Sequence, residues 1–161
     1  MPGENAAEVQ AFREWLRAQM EADGRFEGVE LKDLEGDGGE VSAEVWAAMG
    51  EKAVCYAALR PSLKGVQIGF ATSDRWMSQD LEHWILDMKL PERELLALEL
   101  TDLGAAGTYE VDHFRDFGGF RFCSELPVEA PRDLSDRAVR EEAWKLVLAY
   151  QQMFHALINK E

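Results

Sequence analysis

Three short apolar segments in the first half of the chain, preceded by a weakly alternating one at 26–31, constrain its fold more than any other feature. The residues between them include Gly50 and the pair Pro61-Ser62, which are of the kinds that form turns. Short apolar runs separated in this way are typical of consecutive antiparallel strands. The sequence therefore predicts a meander of four strands, which cover residues 26–31, 40–49, 52–60 and 64–72.

Three other segments have the apolar spacing of amphipathic helices. We expect the first to begin at Asn5, where Glu8 closes a capping box, the second to span about 78–89, and the third to follow a cap at Ser135. Their apolar residues recur three and four positions apart, which places them on one face of each helix. These faces are Val9, Phe12, Leu16 and Met20 in the first helix, Leu81, Trp84, Ile85 and Met88 in the second, and Val139, Ala143, Leu146, Val147, Tyr150, Met153, Phe154, Leu157 and Ile158 in the third.

The sequence of the segment 91–107 fits a helix and a strand equally well. Within it, in residues 95–103, three leucines alternate as in a strand, while the composition suits a helix equally well. Both alternatives stay open for this segment.

Length and composition indicate one globular domain. The chain has 161 residues and a hydrophobic content of 47%, enough to bury a core within a single domain, 1–161. Together with the strands and helices above, this predicts an α+β fold, in which an antiparallel sheet is packed by an N-terminal, a middle and a long C-terminal helix.

The stretch "DHFRDFGGFRFC", residues 112–123, contains the Asp-Phe-Gly tripeptide that holds magnesium in protein kinases. The other kinase signatures do not occur in the sequence, so we interpret the stretch as a β-hairpin. With Gly118-Gly119 as a two-residue turn, Asp116 faces Arg121 as an opposite-charge pair. The same register predicts one shared sheet face, packed on a helix, for Phe117, Phe120 and Phe122.

Residues 33–44, "DLEGDGGEVSAE", come close to the calcium-binding loop of EF-hands, in which carboxylates surround one ion. Glu35 is longer than the usual residue at its position, however, and Glu40 stands where the pattern has an apolar residue. The flanking segments are also predicted as strands. We therefore interpret 33–44 as an acidic loop between two strands, with calcium binding as the alternative.

The residue types that carry most enzyme chemistry are scattered. His83, His113 and His155 have no second histidine or cysteine at metal-ligand spacing, and no nucleophile or phosphate-loop motif occurs in the sequence. Cys55 and Cys123 lie in apolar, strand-like contexts, and we interpret them as small buried residues in a reducing cytoplasm. The sequence therefore predicts no catalytic residue, no metal site and no cofactor.

The charge of the chain restricts its partners. Thirty-one acidic residues against seventeen basic ones give a net charge of −14. Such a charge argues against binding nucleic acid or an anionic membrane through bulk electrostatics. It favours either a basic protein partner or simply solubility.

Two helices carry apolar residues outside their inward faces. On the third helix a second line lies about 100° round from the first, by the 3.6-residue period. The middle helix has an off-face leucine pair. We predict a partner or dimer surface here, and the alternative on the third helix is a core that wraps widely round it. The residues concerned are Trp144, Leu148, Gln151 and His155 on the third helix and Leu86 and Leu90 on the middle one.

The order of elements resembles that of type III secretion chaperones and the related YbjN-like bacterial proteins. The local resemblance lies in residues 118–158, where a final strand, a short connection with proline and a long helix follow one another. It covers about a quarter of the chain and includes no catalytic signature. The resemblance implies a non-enzymatic homodimer that binds another protein.

We therefore predict a cytoplasmic, non-enzymatic protein-binding module with chaperone-like architecture. It acts as a homodimer and binds a second protein, for which the acidic surface favours a basic partner such as a nucleic-acid-handling protein. The alternative is a small hydrolase or metal-dependent enzyme whose site is assembled from dispersed Asp, Glu and His residues.

Overall fold

A computed structural model describes residues 2–35, 41–49, 52–60, 65–87, 92–105, 109–116 and 119–158 of the chain. These residues form four α-helices, one short 3-10 helix and one six-stranded antiparallel sheet. The α+β class predicted from the sequence is confirmed. None of the described helices has a stretch that is long and apolar enough to cross a membrane.

All neighbouring strands of the sheet run antiparallel, in the order β1-β2-β3-β4-β6-β5. The first four strands follow the chain order, which confirms the predicted meander. The last two form a hairpin whose second strand pairs with β4, so that β1 and β5 are the edges. The strands are β1 (Glu27–Glu35), β2 (Val41–Ala48), β3 (Ala53–Leu59), β4 (Gly65–Thr72), β5 (Asp112–Asp116) and β6 (Gly119–Pro127).

The helices are α1 (Pro2–Ala22), α2 (Arg75–Asp87), α3 (Glu92–Asp102) and α4 (Arg137–Ile158), with the 3-10 helix at Pro131–Ser135. The ambiguous segment is thus the helix α3. Strand alternation would place Leu96 and Leu98 on the same side, whereas Leu96 is fully buried and Leu98 is exposed. The burial of these two leucines therefore follows the period of a helix and not that of a strand.

The helices begin at residues other than the predicted caps. The α1 helix starts at Pro2, three residues before Asn5. The α4 helix follows Asp136, whose Oδ1 accepts the backbone N–H of Ala138 at 2.8 Å. Ser135 belongs instead to the 3-10 helix, because its hydroxyl donates to the carbonyl oxygen of Arg132 at 2.8 Å. Two adjacent cap-forming residues leave such a choice open in the sequence.

The helices pack on one face of the sheet, which we call the helix face. The Sγ atom of Cys55 on β3 lies 3.9 Å from the carbonyl oxygen of Val147 on α4. The hydroxyl groups of Ser124 on β6 and Tyr150 on α4 are 2.6 Å apart. The ring of Phe70 on β4 meets that of Tyr150 edge-on at 5.8 Å. These contacts place α4 over the centre of the sheet.

A buried arginine fixes α1 on the first two strands. Arg13 is 6% exposed, and its Nη2 donates to the carbonyl oxygens of Lys32 and Glu44, each at 3.1 Å. Its Nη1 lies 3.1 Å from the carboxylate of Asp33. Because one guanidinium satisfies two backbone carbonyls and a charge, it determines where α1 lies along β1 and β2.

The strands β5 and β6 form the predicted hairpin, but its turn lies one residue earlier than predicted, so that every cross-strand partner is shifted by two residues. Asp116 pairs with Gly119, so the connection consists of 117 and 118, which lie outside the described residues. Arg121 consequently lies opposite Phe114 and not opposite Asp116. The register of a hairpin follows from the position of its turn, and two adjacent glycines do not fix that position in the sequence. Arg121 forms an ion pair with Glu44 of β2.

The aromatic residues of β6 behave as predicted where they are described. Phe120 and Phe122 are two positions apart and therefore share one face of the strand. Phe122 is fully buried in the main core, with its ring 5.1 Å from that of Phe70. Phe117 lies outside the described residues, so its predicted place on this face stays a prediction.

Both cysteines are free and buried, as the sequence predicts. Cys55 lies on the helix face of β3, and Cys123 lies on the opposite face of β6 in a smaller apolar cluster. They therefore belong to two different parts of the interior and cannot form a disulfide with each other.

Candidate functional site

The start of α2 is fixed by Asp74. Its Oδ1 accepts the backbone N–H groups of Trp76 at 2.8 Å and Met77 at 3.1 Å, and Lys52 lies 3.3 Å from its other oxygen. The N–H of Met77 is the main reason why the pKa of Asp74 is lowered from its ordinary value, and Lys52 adds to the effect. The carboxylate therefore stays charged at neutral pH and caps a helix that begins at Arg75, three residues before the predicted start at about residue 78.

The α2 helix has one buried side and one exposed apolar side. Ser78, Leu81 and Ile85 are buried on the side of α2 that packs against β4 and α4. On the opposite side Trp76 is 73% exposed and Leu86 is 75% exposed. The two residues are ten positions apart, which corresponds to about 15 Å along the helix axis. Large exposed apolar side chains of this kind indicate a contact surface.

We call Trp76, Gln79, His83 and Leu86 the outer face of α2, because all four are exposed and recur three and four positions apart. Its flanks are acidic, with three exposed carboxylates against one exposed arginine. The flanking residues are Asp80, Glu82, Asp87 and Arg75.

The residues predicted as an interface on α4 lie mostly inside the chain. Leu148 is 7% exposed and Gln151 is 9% exposed. The α3 helix packs against α4, and Phe26 contacts Trp144 with ring centres 5.7 Å apart. Leu148 and Gln151 thus offer little surface to a second copy, whereas Trp144 keeps part of its surface exposed. The core wraps widely round α4, while His155 is exposed.

On the middle helix the two predicted interface residues differ in outcome. Leu86 is exposed on the outer face of α2, and Leu90 lies outside the described residues. Sequence reasoning missed Trp76, because a predicted start at about residue 78 placed it before the helix. The signal that identifies it is Asp74, which is an equally good cap and brings Trp76 into the first turn.

A serine, a histidine and a glutamate form a hydrogen-bonded chain between α2 and β5. The Ser78 hydroxyl lies 3.3 Å from Nε2 of His113, whose Nδ1 lies 2.8 Å from a carboxylate oxygen of Glu82. The order resembles that of a hydrolase triad. Ser78 is only 3% exposed, however, and lies within the second turn of the helix. A substrate carbonyl therefore cannot reach the hydroxyl, and the chain of contacts links the edge strand to α2.

The pKa of His113 gives this link a dependence on pH. Burial lowers the pKa of His113 from its ordinary 6.5, and the carboxylate of Glu82 opposes that effect only in part. As the pH falls below about 6.5, the unfolded chain takes up the proton first, so the folded state loses stability in that window. Above this window the neutral imidazole contributes fully.

We therefore expect the stability difference between the wild type and His113→Gln to shrink as the pH falls from about 8 to about 5. Glutamine keeps a polar side chain but does not titrate, and all other titrating groups are common to both proteins. Urea denaturation of both proteins at a series of pH values measures the difference. A difference that stays constant or grows towards acid pH would contradict the expectation.

The face of the sheet opposite the helix face carries a buried polar cluster. Arg121 extends from β6 across β4 and β3 to β2, where its Nη1 donates to Glu44 Oε2 at 3.0 Å. The same oxygen accepts the Ser42 hydroxyl at 2.6 Å, and Oε1 accepts Nε1–H of Trp46 at 2.8 Å. The guanidinium also lies 4.5 Å from the ring centre of Tyr56. The Glu44 carboxylate is thus occupied by three donors.

Both cysteines and Tyr56 are held in their neutral forms. Burial raises the pKa of Cys55 to about 12 and that of Cys123 to about 11. Burial also raises the pKa of Tyr56 well above its ordinary value, and its hydroxyl donates to Gln67 at 2.7 Å. Because a thiolate is the reactive form of cysteine, both thiols are inert at neutral pH.

The calcium pattern at 33–44 does not converge on one point. Asp33 lies on the helix face beside Arg13, whereas Glu44 lies on the opposite face beside Arg121. The first and last positions of the pattern are therefore separated by the sheet. Both flanks are strands as predicted, but the strands extend into the predicted loop, since 33–35 belong to β1 and 41–44 to β2. Residues 36–40 lie outside the described residues. In the part of the chain that is described, no three His, Cys, Asp or Glu side chains form a group that could hold a metal ion.

The outer face of α2 is therefore the candidate functional site, since in the described part of the chain Ser78, Glu44 and both thiols are buried. No protein-family model, curated protein or solved structure matches this chain.

Proposed function

We propose that this chain is a non-enzymatic protein-binding module with chaperone-like architecture, which binds its partner through the outer face of α2. The exposure of Trp76 and Leu86 on one helix carries the proposal. Tryptophan is among the residues that dominate binding energy at protein interfaces, and its exposure to water is unfavourable without a partner. The sites that resemble enzyme chemistry support the same conclusion, because Ser78 and Glu44 are buried.

The proposed location is the cytoplasm. Cys55 and Cys123 are free thiols in the structure, which suits a compartment that keeps cysteines reduced.

Capture of partners from the native host tests the proposed function. We expect the wild type to retain a partner that Trp76→Asp loses, because the charge prevents burial of this position in an interface. Leu98→Asp is the matched control, since Leu98 is also exposed, at 56%, but lies on α3. A partner that is retained equally by all three proteins would exclude the outer face of α2 as the binding site.

Homodimerisation is the second part of the proposal. Of the described leucines predicted as dimer contacts, Leu148 is buried, whereas Leu86 on the outer face of α2 is exposed. At about 25 cal/mol per Å² of apolar area, burial of Trp76 and Leu86 on both copies supports a dimer in the micromolar range.

We expect Leu86→Asp to give a folded monomer, while the wild type and Leu98→Asp are dimers at tens of micromolar (~10⁻⁵ M). Light scattering measures the mass, and circular dichroism checks the fold. Leu148→Asp is expected to lose about 3 kcal/mol or more of stability instead, because it places a charge in the core. A wild type that is monomeric at this concentration would remove the dimer from the proposal.

A further inference from the structure

The charges beside the outer face of α2 distinguish between its possible occupants. Asp80, Glu82 and Asp87 are exposed on the same helix as Trp76 and Leu86. A second copy would bring an identical set of carboxylates close to them, on a chain whose net charge is −14. Like charges at an interface are unfavourable, whereas a basic partner would gain from each of these carboxylates.

The shape of the site favours a helix over an extended segment. The N–H and C=O groups of α2 are used within the helix, so the site offers no backbone ladder to an added strand. Its two apolar anchors are about 15 Å apart along a convex cylinder, or nearly three turns. A partner helix that packs beside α2 can meet both anchors with apolar residues spaced three to four positions apart.

We infer that the outer face of α2 binds a basic amphipathic helix of a partner protein, in competition with a second copy of this chain. The inference rests on the proposed function, because it names the partner for the same surface. The apolar side of the partner helix covers Trp76 and Leu86, and its lysines or arginines lie beside Asp80, Glu82 and Asp87.

Binding of two designed peptides to the full chain tests the inference. Each is an amphipathic helix of about 18 residues, five turns, with leucines on one face and either lysines or glutamates on the other. We expect the lysine peptide to bind and the glutamate peptide not to bind, as measured by calorimetry. Leu86→Asp should weaken the lysine peptide about tenfold or more, and Leu98→Asp should leave its affinity unchanged.

High salt should have opposite effects on the affinity of the lysine peptide and on the affinity of the homodimer. Salt screens attraction between the lysine peptide and the carboxylates, so the peptide should bind more weakly at high salt. It also screens repulsion between two copies, so a homodimer through this face should strengthen. A 1:1 complex of peptide and monomer, formed at the expense of the dimer, supports the inference.

Three results would overturn the inference. The first is equal binding of both peptides, which would indicate apolar contact without charge selection. The second is equal weakening by Leu86→Asp and Leu98→Asp, which would indicate attraction to the acidic chain as a whole. The third is a dimer that salt strengthens in a protein that binds neither peptide, which would assign the face to a second copy. This third result leaves the proposed protein-binding function in place. That function would be contradicted by a different result, in which Trp76→Asp captures the same partner as the wild type.

Discussion

Arg121→Leu is expected to destabilise the protein by about 3–5 kcal/mol, because it leaves the charge of Glu44 buried without its ion pair. Glu44 is fully buried and Arg121 is 2% exposed, and their closest atoms are 3.0 Å apart. Water cannot replace the guanidinium at such a site. Urea denaturation followed by tryptophan fluorescence measures the loss.

A second substitution separates the buried charge from lost packing. Glu44→Gln keeps the size of the side chain but removes the charge: its one oxygen can still accept Nε1–H of Trp46, and its NH2 group can donate to the Ser42 hydroxyl. We expect Glu44→Gln to destabilise the wild type, yet to restore stability when it is added to Arg121→Leu. If the double variant is less stable than Arg121→Leu, the cost of Arg121→Leu comes from packing over Tyr56 and not from the buried charge.

The Glu44–Arg121 pair also shows why the site-level contacts could not be predicted. The two residues are 77 positions apart, and three strand pairings separate β2 from β6 in the sheet. Sequence reasoning paired Arg121 with its nearest opposite charge across the hairpin, because local pairs are all that a pattern can show. The long side chain instead reaches a carboxylate that would otherwise be buried without a partner.

Elements with a strong period or clear turn residues were predictable. The meander follows from apolar runs separated by glycine and proline, and the buried positions of α1 follow from the spacing of Phe12, Leu16 and Met20. Helix ends were not predictable to the residue, because neighbouring residues such as Asp136 and Ser135 are both good caps. The start of α2 matters for the candidate site, since a predicted start at about residue 78 left Trp76 outside the helix.

The predicted interface on α4 also depended on an element that the sequence did not define. Trp144 and Leu148 lie off the main apolar line, which is typical of an interface when only one side of a helix faces the core. In this fold α3 packs on α4 as well, and Phe26 contacts Trp144, so two sides of α4 are buried. The sequence did not distinguish helix from strand in the segment that forms α3. It therefore could not show that a helix packs on this side of α4.

Gly69→Ala is expected to cost about 3 kcal/mol or more, at or above the upper end for overpacking. Gly69 on β4 pairs with Cys123 on β6. A Cβ atom at this position would lie 2.6 Å from Cα of Cys123, and closer still to the carbonyl oxygen of Phe122. Both neighbours are backbone atoms, so no side-chain rotation relieves the contact and the two strands must move apart.

Gly24→Ala is the matched control, because an added Cβ at Gly24 meets no atom within 4 Å. We expect this variant to stay within about 0.5 kcal/mol of the wild type or to gain slightly, since alanine reduces the entropy of the unfolded chain. The difference in stability between the two variants tests the pairing of β4 with β6. This pairing joins the N-terminal meander to the C-terminal hairpin. If Gly69→Ala and Gly24→Ala are equally stable in urea denaturation, β4 and β6 do not approach as closely as the structure shows.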